Sequence, residues 1–309
     1  LFAKLLNGIF RGTFFIYNGL LLAPIFSYKL KQLEKQYGKF DLIIMRGHGT
    51  FELVWPYKDD RVVQMVESVF IREGTWLDKL YIKCVYSGKN LAGVSSGVYE
   101  RILEVLKSTS VRAKSVNIVH NPLDMGQIIE KSSEYEPALD EPYILSVGRV
   151  TPNKNISFLL EAYKYARDNL GLLLPLVIIG DGHDMPNIKT KISDLNLDTS
   201  VILLGLLQNP YPWMKHAALL TSTSKAEGFG MVIVEALACH TNVLTTKSKG
   251  GVKDIMKGEL EEYMVDFSVE IFAQKMVQTI KQEKKIDFDK CIEEFSSSAI
   301  VKRYIELYL

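Results

Sequence analysis

The sequence is poor in cysteine: Cys84, Cys239 and Cys291 are all that 309 residues contain. They are odd in number and far apart, so they build neither a disulfide framework nor a zinc site. A reducing compartment is the expectation, and the protein is placed in the cytoplasm. The five histidines show no H-x-x-x-H or similar ligand spacing, so no metal site is expected. An excess of charge of either sign is also lacking. The net charge is +1, which is far from the basic footprint of a nucleic-acid binder. It divides unevenly: residues 1–138 carry 18 Lys and Arg against 14 Asp and Glu, and residues 139–309 carry 19 against 22. The mildly basic first part suits an anionic membrane surface. No internal repeat and no low-complexity tract occurs. The densest apolar run, from Phe14 to Phe26, is broken by Asn18, Gly19 and Pro24. It is shorter than the roughly 18–20 residues that a spanning helix needs. Residues 1–28 are read as a buried helix on a sheet, with an interfacial membrane helix as the alternative.

What is present is a pattern of short apolar runs alternating with helical segments. Hydrophobic residues make up 47% of the chain, enough for two domains with real cores. Residues 29–37 read as a charged amphipathic helix. The first strands are Asp41–Met45, Arg61–Val66, Leu91–Ser95 and Val116–Val119, with Ser96 capping a helix over 97–107. Residues 126–142 are polar, contain Pro137 and Pro142, and read as a linker. A second series has strands Tyr143–Val147, Leu176–Ile179, Val201–Leu204, Ala218–Thr221 and Asn242–Thr245. Its helices fall near 155–169, 186–195, 230–239 and 269–281. Strands alternating with helices predict parallel sheets covered on both faces. The expected layout is an α/β protein of two doubly wound domains, 1–138 and 139–295, with a last helix over 296–309. Leu1, not Met, opens the chain inside an apolar segment, so a fragment lacking the first strands of its first domain is expected.

Three motifs carry chemistry. Ser146-Val147-Gly148-Arg149 ends the first strand of the second domain, and Thr151-Pro152-Asn153-Lys154-Asn155 follows. A cation just past a strand and another five residues on can grip a diphosphate from two sides. Ile178-Ile179-Gly180-Asp181-Gly182 runs from a strand into a glycine turn. It is no dinucleotide fingerprint, because Met185 stands where the third glycine belongs. It reads as a tight strand-to-helix turn beside a ligand crevice. Glu227-Gly228-Phe229-Gly230-Met231-Val232-Ile233-Val234-Glu235 sets one carboxylate in a glycine loop and another in an apolar helix. A lone Glu among such neighbours is expensive to bury without a hydrogen-bonding partner, and two adjacent ribose hydroxyls would satisfy it. The glycines bring backbone amides close to a ligand at a helix N-terminus, which favours anions. Together these features describe a nucleotide-sugar site.

In order and spacing over roughly residues 140–309, this set, with Gly250-Gly251, resembles family 4 of the retaining glycosyltransferases. The first half is similar more weakly, through Asp41–Ile44, Gly93-Val94-Ser95 and Val119–Asp124. The resemblance implies the GT-B fold, two Rossmann-like domains facing a cleft, the first of them incomplete here. It implies catalytic roles for Arg149, Lys154 and Glu227. Arg149 and Lys154 would hold the donor diphosphate and stabilise it as it leaves, with no metal and no cofactor. Glu227 would meet the hydroxyls of the transferred sugar and Glu235 the ribose. Backbone at Gly148, Gly180, Gly228, Phe229, Gly230 and Met231 would line the donor, a UDP-sugar. Asn209, with Pro210 and Tyr211, would lie near the base.

The glycine-rich first loop of such proteins has no counterpart in this sequence. Arg46, His48 and Glu67 lie near the positions where these proteins carry first-domain histidines. Ser298–Tyr304 resembles the family's last helix, which crosses back to the first domain, with Tyr304 and Tyr308 as anchors. The expectation is a hexosyltransferase of lipopolysaccharide, capsule or other surface polysaccharide synthesis. Its partners would be a nucleoside-diphosphate sugar, a glycan or lipid-linked acceptor and an anionic membrane at the inner face, and no nucleic acid. A sugar-nucleotide epimerase of the same fold and a nucleotide-binding module without turnover are the competing readings.

Overall fold

The computed structural model describes residues 2–47, 50–71, 74–282 and 286–309, with side chains from Phe14 onward. The chain divides into two compact units, Leu1–His120 with Val301–Leu309, and Asn121–Ile300. The first unit thus ends at His120 and not at 138, and it takes in the end of the last helix.

The first unit opens with one continuous helix, α1 (Phe2–Tyr37), where the sequence suggested two. Pro24 lies inside it without ending it, although proline removes one intrahelical hydrogen bond. Packing carries the helix through. Phe15 meets Tyr81 edge-on at 5.1 Å between ring centroids, and Phe26 meets Tyr57 at 5.0 Å. Then follow β1 (Ile43–Met45), α2 (Thr50–Leu53), β2 (Val62–Val66), α3 (Trp76–Tyr86), β3 (Asn90–Gly93), α4 (Ser96–Thr109) and β4 (Ser115–Ile118). The four strands pair in parallel in the order β1-β2-β3-β4. All five residues of β2 are buried, as expected for an inner strand covered on both faces. The cap of α4 is Ser95 and not Ser96: its hydroxyl accepts from the Val98 amide at 3.2 Å. Missed in the sequence was α3, which Thr75 and Asp78 start with a reciprocal capping box. Tyr304, near the chain's end, donates to Met65 Sδ at 2.8 Å, and Tyr308 to the Leu91 carbonyl at 3.3 Å.

The second unit begins with α5 (Met125–Lys131), inside the expected linker. Asp124 Oδ1 accepts from the Gln127 amide at 3.0 Å, and Ile128 alone of the helix is buried. A short helix with one buried residue looks like a polar linker in sequence. Next come β5 (Ile144–Val147), α6 (Ile156–Leu170), β6 (Leu176–Ile179), α7 (Met185–Asp194), β7 (Val201–Gly205), α8 (Tyr211–His216) and β8 (Leu219–Ser222). They are followed by β9 (Ala226–Glu227), α9 (Met231–Ala238), β10 (Val243–Thr246), β11 (Lys249–Gly250), α10 (Val252–Ile255), β12 (Met264–Val265), α11 (Val269–Lys281), α12 (Phe288–Ile292) and α13 (Ser297–Tyr308). A parallel sheet of order β12-β10-β8-β5-β6-β7 forms the centre. Its core joins Ile144, Ile178, Leu219 and Leu244 from the strands to Leu159, Leu160 and Tyr163 of α6 and Phe272 and Met276 of α11. Among the described residues no helix is long and apolar enough to cross a membrane.

Candidate active site

In the second sheet the strand order reverses between β5 and β8. From β5 the chain adds β6 and β7 on one side, then returns to lay β8, β10 and β12 on the other. Such a switch point leaves a crevice at the carboxyl ends of the two strands, where ligands bind in open α/β sheets. Both charged motifs leave from those ends.

Gly148 follows β5 with φ at +150°, a conformation other residues rarely adopt. Arg149 is exposed, and no described residue pairs with it. Asn155 takes the left-handed conformation, φ +55°, and turns the loop into α6. The loop bearing Lys154 is laced to the loop after β8. Asn153 Nδ2 donates to the Ala226 carbonyl at 2.8 Å, and the Lys225 amide donates to the Asn153 carbonyl at 2.8 Å. The Thr223 hydroxyl spans the carbonyls of Lys154 and Asn155 at 3.1 and 3.2 Å. As a result Lys154 Nζ donates to Glu227 Oε1 at 2.6 Å across 73 residues of sequence. Both side chains are mostly buried, 22% and 15% exposed, so solvent screens the pair only partly. An ammonium has three donors, and Glu227 takes one, so Lys154 can hold an anion and keep its carboxylate. The Ser224 hydroxyl also donates to Glu227 Oε1, at 2.6 Å.

The glycines keep these loops thin. A Cβ on Gly180 would stand 1.9 Å from the Gly148 carbonyl oxygen, and one on Gly182 would stand 2.1 Å from that of Val150. The two turns therefore run backbone against backbone, with the Val150 amide on the Asp181 carbonyl at 2.9 Å. Gly250 pairs with Glu227 in the short β9–β11 ladder. A Cβ on Gly251 would stand 2.6 Å from Phe229 Cα, so Gly250-Gly251 is a close approach as well as a turn. Gly230, φ +112°, opens α9, and the amides of a helix's first turn point outward. Phe229 is buried, edge-on to Phe295 at 5.1 Å between centroids. Met231 begins the helix, partly exposed.

Glu235 lies one turn further on. Burial raises its carboxyl above the usual range, and a hydrogen bond from Tyr211 offsets part of that rise. The Tyr211 phenol is pushed up to about 12, by its own burial first and then by the charge of Glu235. Asn209 is engaged inside the unit. Its amide nitrogen donates to the Lys131 carbonyl and to Glu134, both at 2.8 Å, and its oxygen accepts from the Tyr211 amide at 3.1 Å. In the first unit Arg46 and Glu67 pair at 2.9 Å at the ends of β1 and β2, and His48 lies outside the described residues.

Residues 127–293, just over half of the chain, match the family model described as Glycosyl transferases group 1. The chain belongs to this family. Every residue proposed for the donor, from Gly148 to Glu235, falls within the matched segment of this group 1 glycosyl transferase. One relative is the N-acetylgalactosamine-N,N'-diacetylbacillosaminyl-diphospho-undecaprenol 4-alpha-N-acetylgalactosaminyltransferase of Campylobacter jejuni. It is 31% identical over 183 residues, 59% of this chain and 49% of that protein. Another is the lipopolysaccharide 1,6-galactosyltransferase of Salmonella typhimurium, 26% identical over 224 residues, 68% of this chain and 58% of that protein. The crystal structure of Anabaena HepE in complex with UDP-glucose superposes with a TM-score of 0.70. It is 16% identical and covers 90% of this chain and 80% of that one. That likeness shows the fold, GT-B. The chain spans about half the length of the curated relatives it matches. The family and both relatives are transferases, so neither an epimerase nor a binding module without turnover is favoured.

The sequence did not point to Ser224, Thr223 or Asn153 as part of this site. The only signal for Ser224 was its place three residues before Glu227, a spacing that ordinarily marks a helix cap. In a strand-end loop the same spacing turns the hydroxyl onto the carboxylate.

Proposed function

We propose that this group 1 glycosyl transferase moves a hexose, with retention of configuration, from a UDP-sugar to a glycan or lipid-linked acceptor of surface polysaccharide synthesis. The observation that carries the reading is the meeting of Lys154 and Glu227 at 2.6 Å at the sheet's switch point. A cation for phosphate and a carboxylate for sugar hydroxyls stand side by side there, with the Arg149 guanidinium leaving the same strand end. HepE holds UDP-glucose, and the Salmonella relative acts on lipopolysaccharide; both support the choice of donor and acceptor class.

In the proposed reaction the bond between the anomeric carbon and the diphosphate oxygen breaks while Arg149 and Lys154 take up the developing charge. The acceptor oxygen bonds to that carbon from the same face, and its proton passes to the leaving phosphate. Glu227 holds the sugar and Glu235 the ribose hydroxyls. The two side-chain cations supply the countercharge, so no metal or other cofactor is required. The protein works in the cytoplasm, at the inner face of an anionic membrane.

Release of UDP from UDP-sugars, with the relatives' acceptor classes supplied, tests this. Arg149→Ala is expected to lower kcat/KM by roughly 100- to 1,000-fold, and a chelator is expected to leave the wild-type rate unchanged. Full activity of Arg149→Ala, or loss of activity with the chelator, overturns the assignment.

A further inference from the structure

Glu227 has two carboxylate oxygens, and the structure treats them differently. Oε1 receives both Lys154 Nζ and Ser224 Oγ, each at 2.6 Å. Oε2 receives no hydrogen bond from the described residues. Ser224 is itself fixed. It is 1% exposed, and its carbonyl accepts from the Ser248 hydroxyl and, at 3.4 Å, from Thr246 Oγ1 at the end of β10. A serine held by its backbone has few places to point its hydroxyl, and here it points to the carboxylate. Two donors on one oxygen fix both the position and the rotation of a carboxylate, and they leave the lone pairs of the other oxygen for a ligand.

We infer that Ser224 is a positioning residue for sugar transfer: with Lys154 it locks Oε1 of Glu227 so that Oε2 alone meets the hydroxyls of the donor sugar. The inference rests on the sugar-contact role proposed above for Glu227. A burial-only role for the Ser224 hydroxyl would also satisfy its hydrogen bond, but it would not tie the effect of Ser224 to Glu227. That coupling is measurable.

The test uses the full chain and whichever of UDP-glucose, UDP-galactose and their N-acetylated forms the wild type hydrolyses fastest. Ser224→Ala, Glu227→Gln and the double variant are compared by kcat/KM for UDP release and by Kd for UDP alone. Ser224→Ala is expected to lower kcat/KM roughly tenfold or more, because small misplacements of a contact group cost rate steeply. UDP lacks the sugar, so its Kd stays within about twofold of the wild type. The double variant is no slower than Glu227→Gln alone, since Ser224 acts only through that carboxylate. Multiplying effects in the double variant, or equal losses for UDP and UDP-sugar, overturn the inference and leave Ser224 a packing residue. If Glu227→Gln itself keeps wild-type turnover, the sugar-contact role of Glu227 fails and takes the inference with it. If the wild type binds none of the four donors, the donor-site reading fails.

Discussion

Glu235 sits among Val234, Ala236 and Leu237, all fully buried, and carries a carboxyl whose pKa burial raises above 4.5. The linkage follows from that direction. A carboxyl raised in the folded state contributes stability below its unfolded pKa and loses it as pH rises through the folded value. Above the usual carboxylate range the buried Glu235 of the ligand-free protein is therefore a burden that glutamine would not carry. Tyr211 and Cys239 face the same carboxylate, but both are pushed up to about 12 and stay neutral throughout. Glu235→Gln is expected to melt higher than the wild type, by a margin that grows as pH rises above the usual carboxylate range. The same change is expected to weaken UDP binding, so saturating UDP reverses the order. At 100 times its Kd, UDP adds about 2.7 kcal/mol to the wild type. Melting curves across pH, with and without UDP, check both halves. A wild type that melts above the variant at pH 8 without UDP would refute the account.

At the scale of elements, the site depends on two loops that touch through glycine. Gly180, φ +138°, has room for no side chain, since its Cβ would stand 1.9 Å from a backbone oxygen that cannot move aside. Gly180→Ala is expected to cost about 2–4 kcal/mol in urea unfolding, combining a strained φ with a displaced strand end. A Cβ on Gly126, in α5, would meet Asp124 Oδ1 at 3.6 Å, an ordinary contact. Gly126→Ala is expected to gain up to about 1 kcal/mol from helix propensity. Equal effects at the two positions would mean that the loops can part without harm. The sequence showed β6 as Leu176–Ile179, because a strand buried on both faces is a continuous apolar run. It showed the spacing of Glu227 and Glu235, since both lie in one short segment. It did not show β9 and β11, whose two-residue ladders leave no pattern. Asn209, which the resemblance sets near the base, donates to the Lys131 carbonyl and accepts from the Tyr211 amide, and so ties α5 to the start of α8. The Lys154–Glu227 pair joins residues 73 positions apart, a distance over which pattern reading has no reach.

The charge asymmetry of the whole molecule returns in the first unit as a shaped surface. Along α1, Phe14, Tyr17, Leu21, Ile25 and Tyr28 are each more than half exposed. Their spacing of three and four places them on one helical face. Phe15, Ala23 and Leu30 are buried on the other. The expected buried helix is therefore buried on one face only. Further along, Lys29, Lys31 and Lys35 are exposed, and the one acid of the helix, Glu34, is ion-paired with Arg61. An apolar stripe continued by lysines is complementary to an anionic bilayer surface, where each lysine contributes about 1 kcal/mol near the headgroups. The full chain is expected to sediment with vesicles containing phosphatidylglycerol at low salt and to release at high salt, as screening shortens the reach of the charges. Vesicles of phosphatidylcholine alone should retain little. The double substitution Leu21→Glu with Ile25→Glu should abolish binding, while UDP affinity in the second unit stays as in the wild type. Binding that survives both glutamates would move the membrane contact off α1, and no binding at low salt would remove the membrane from the function proposed here.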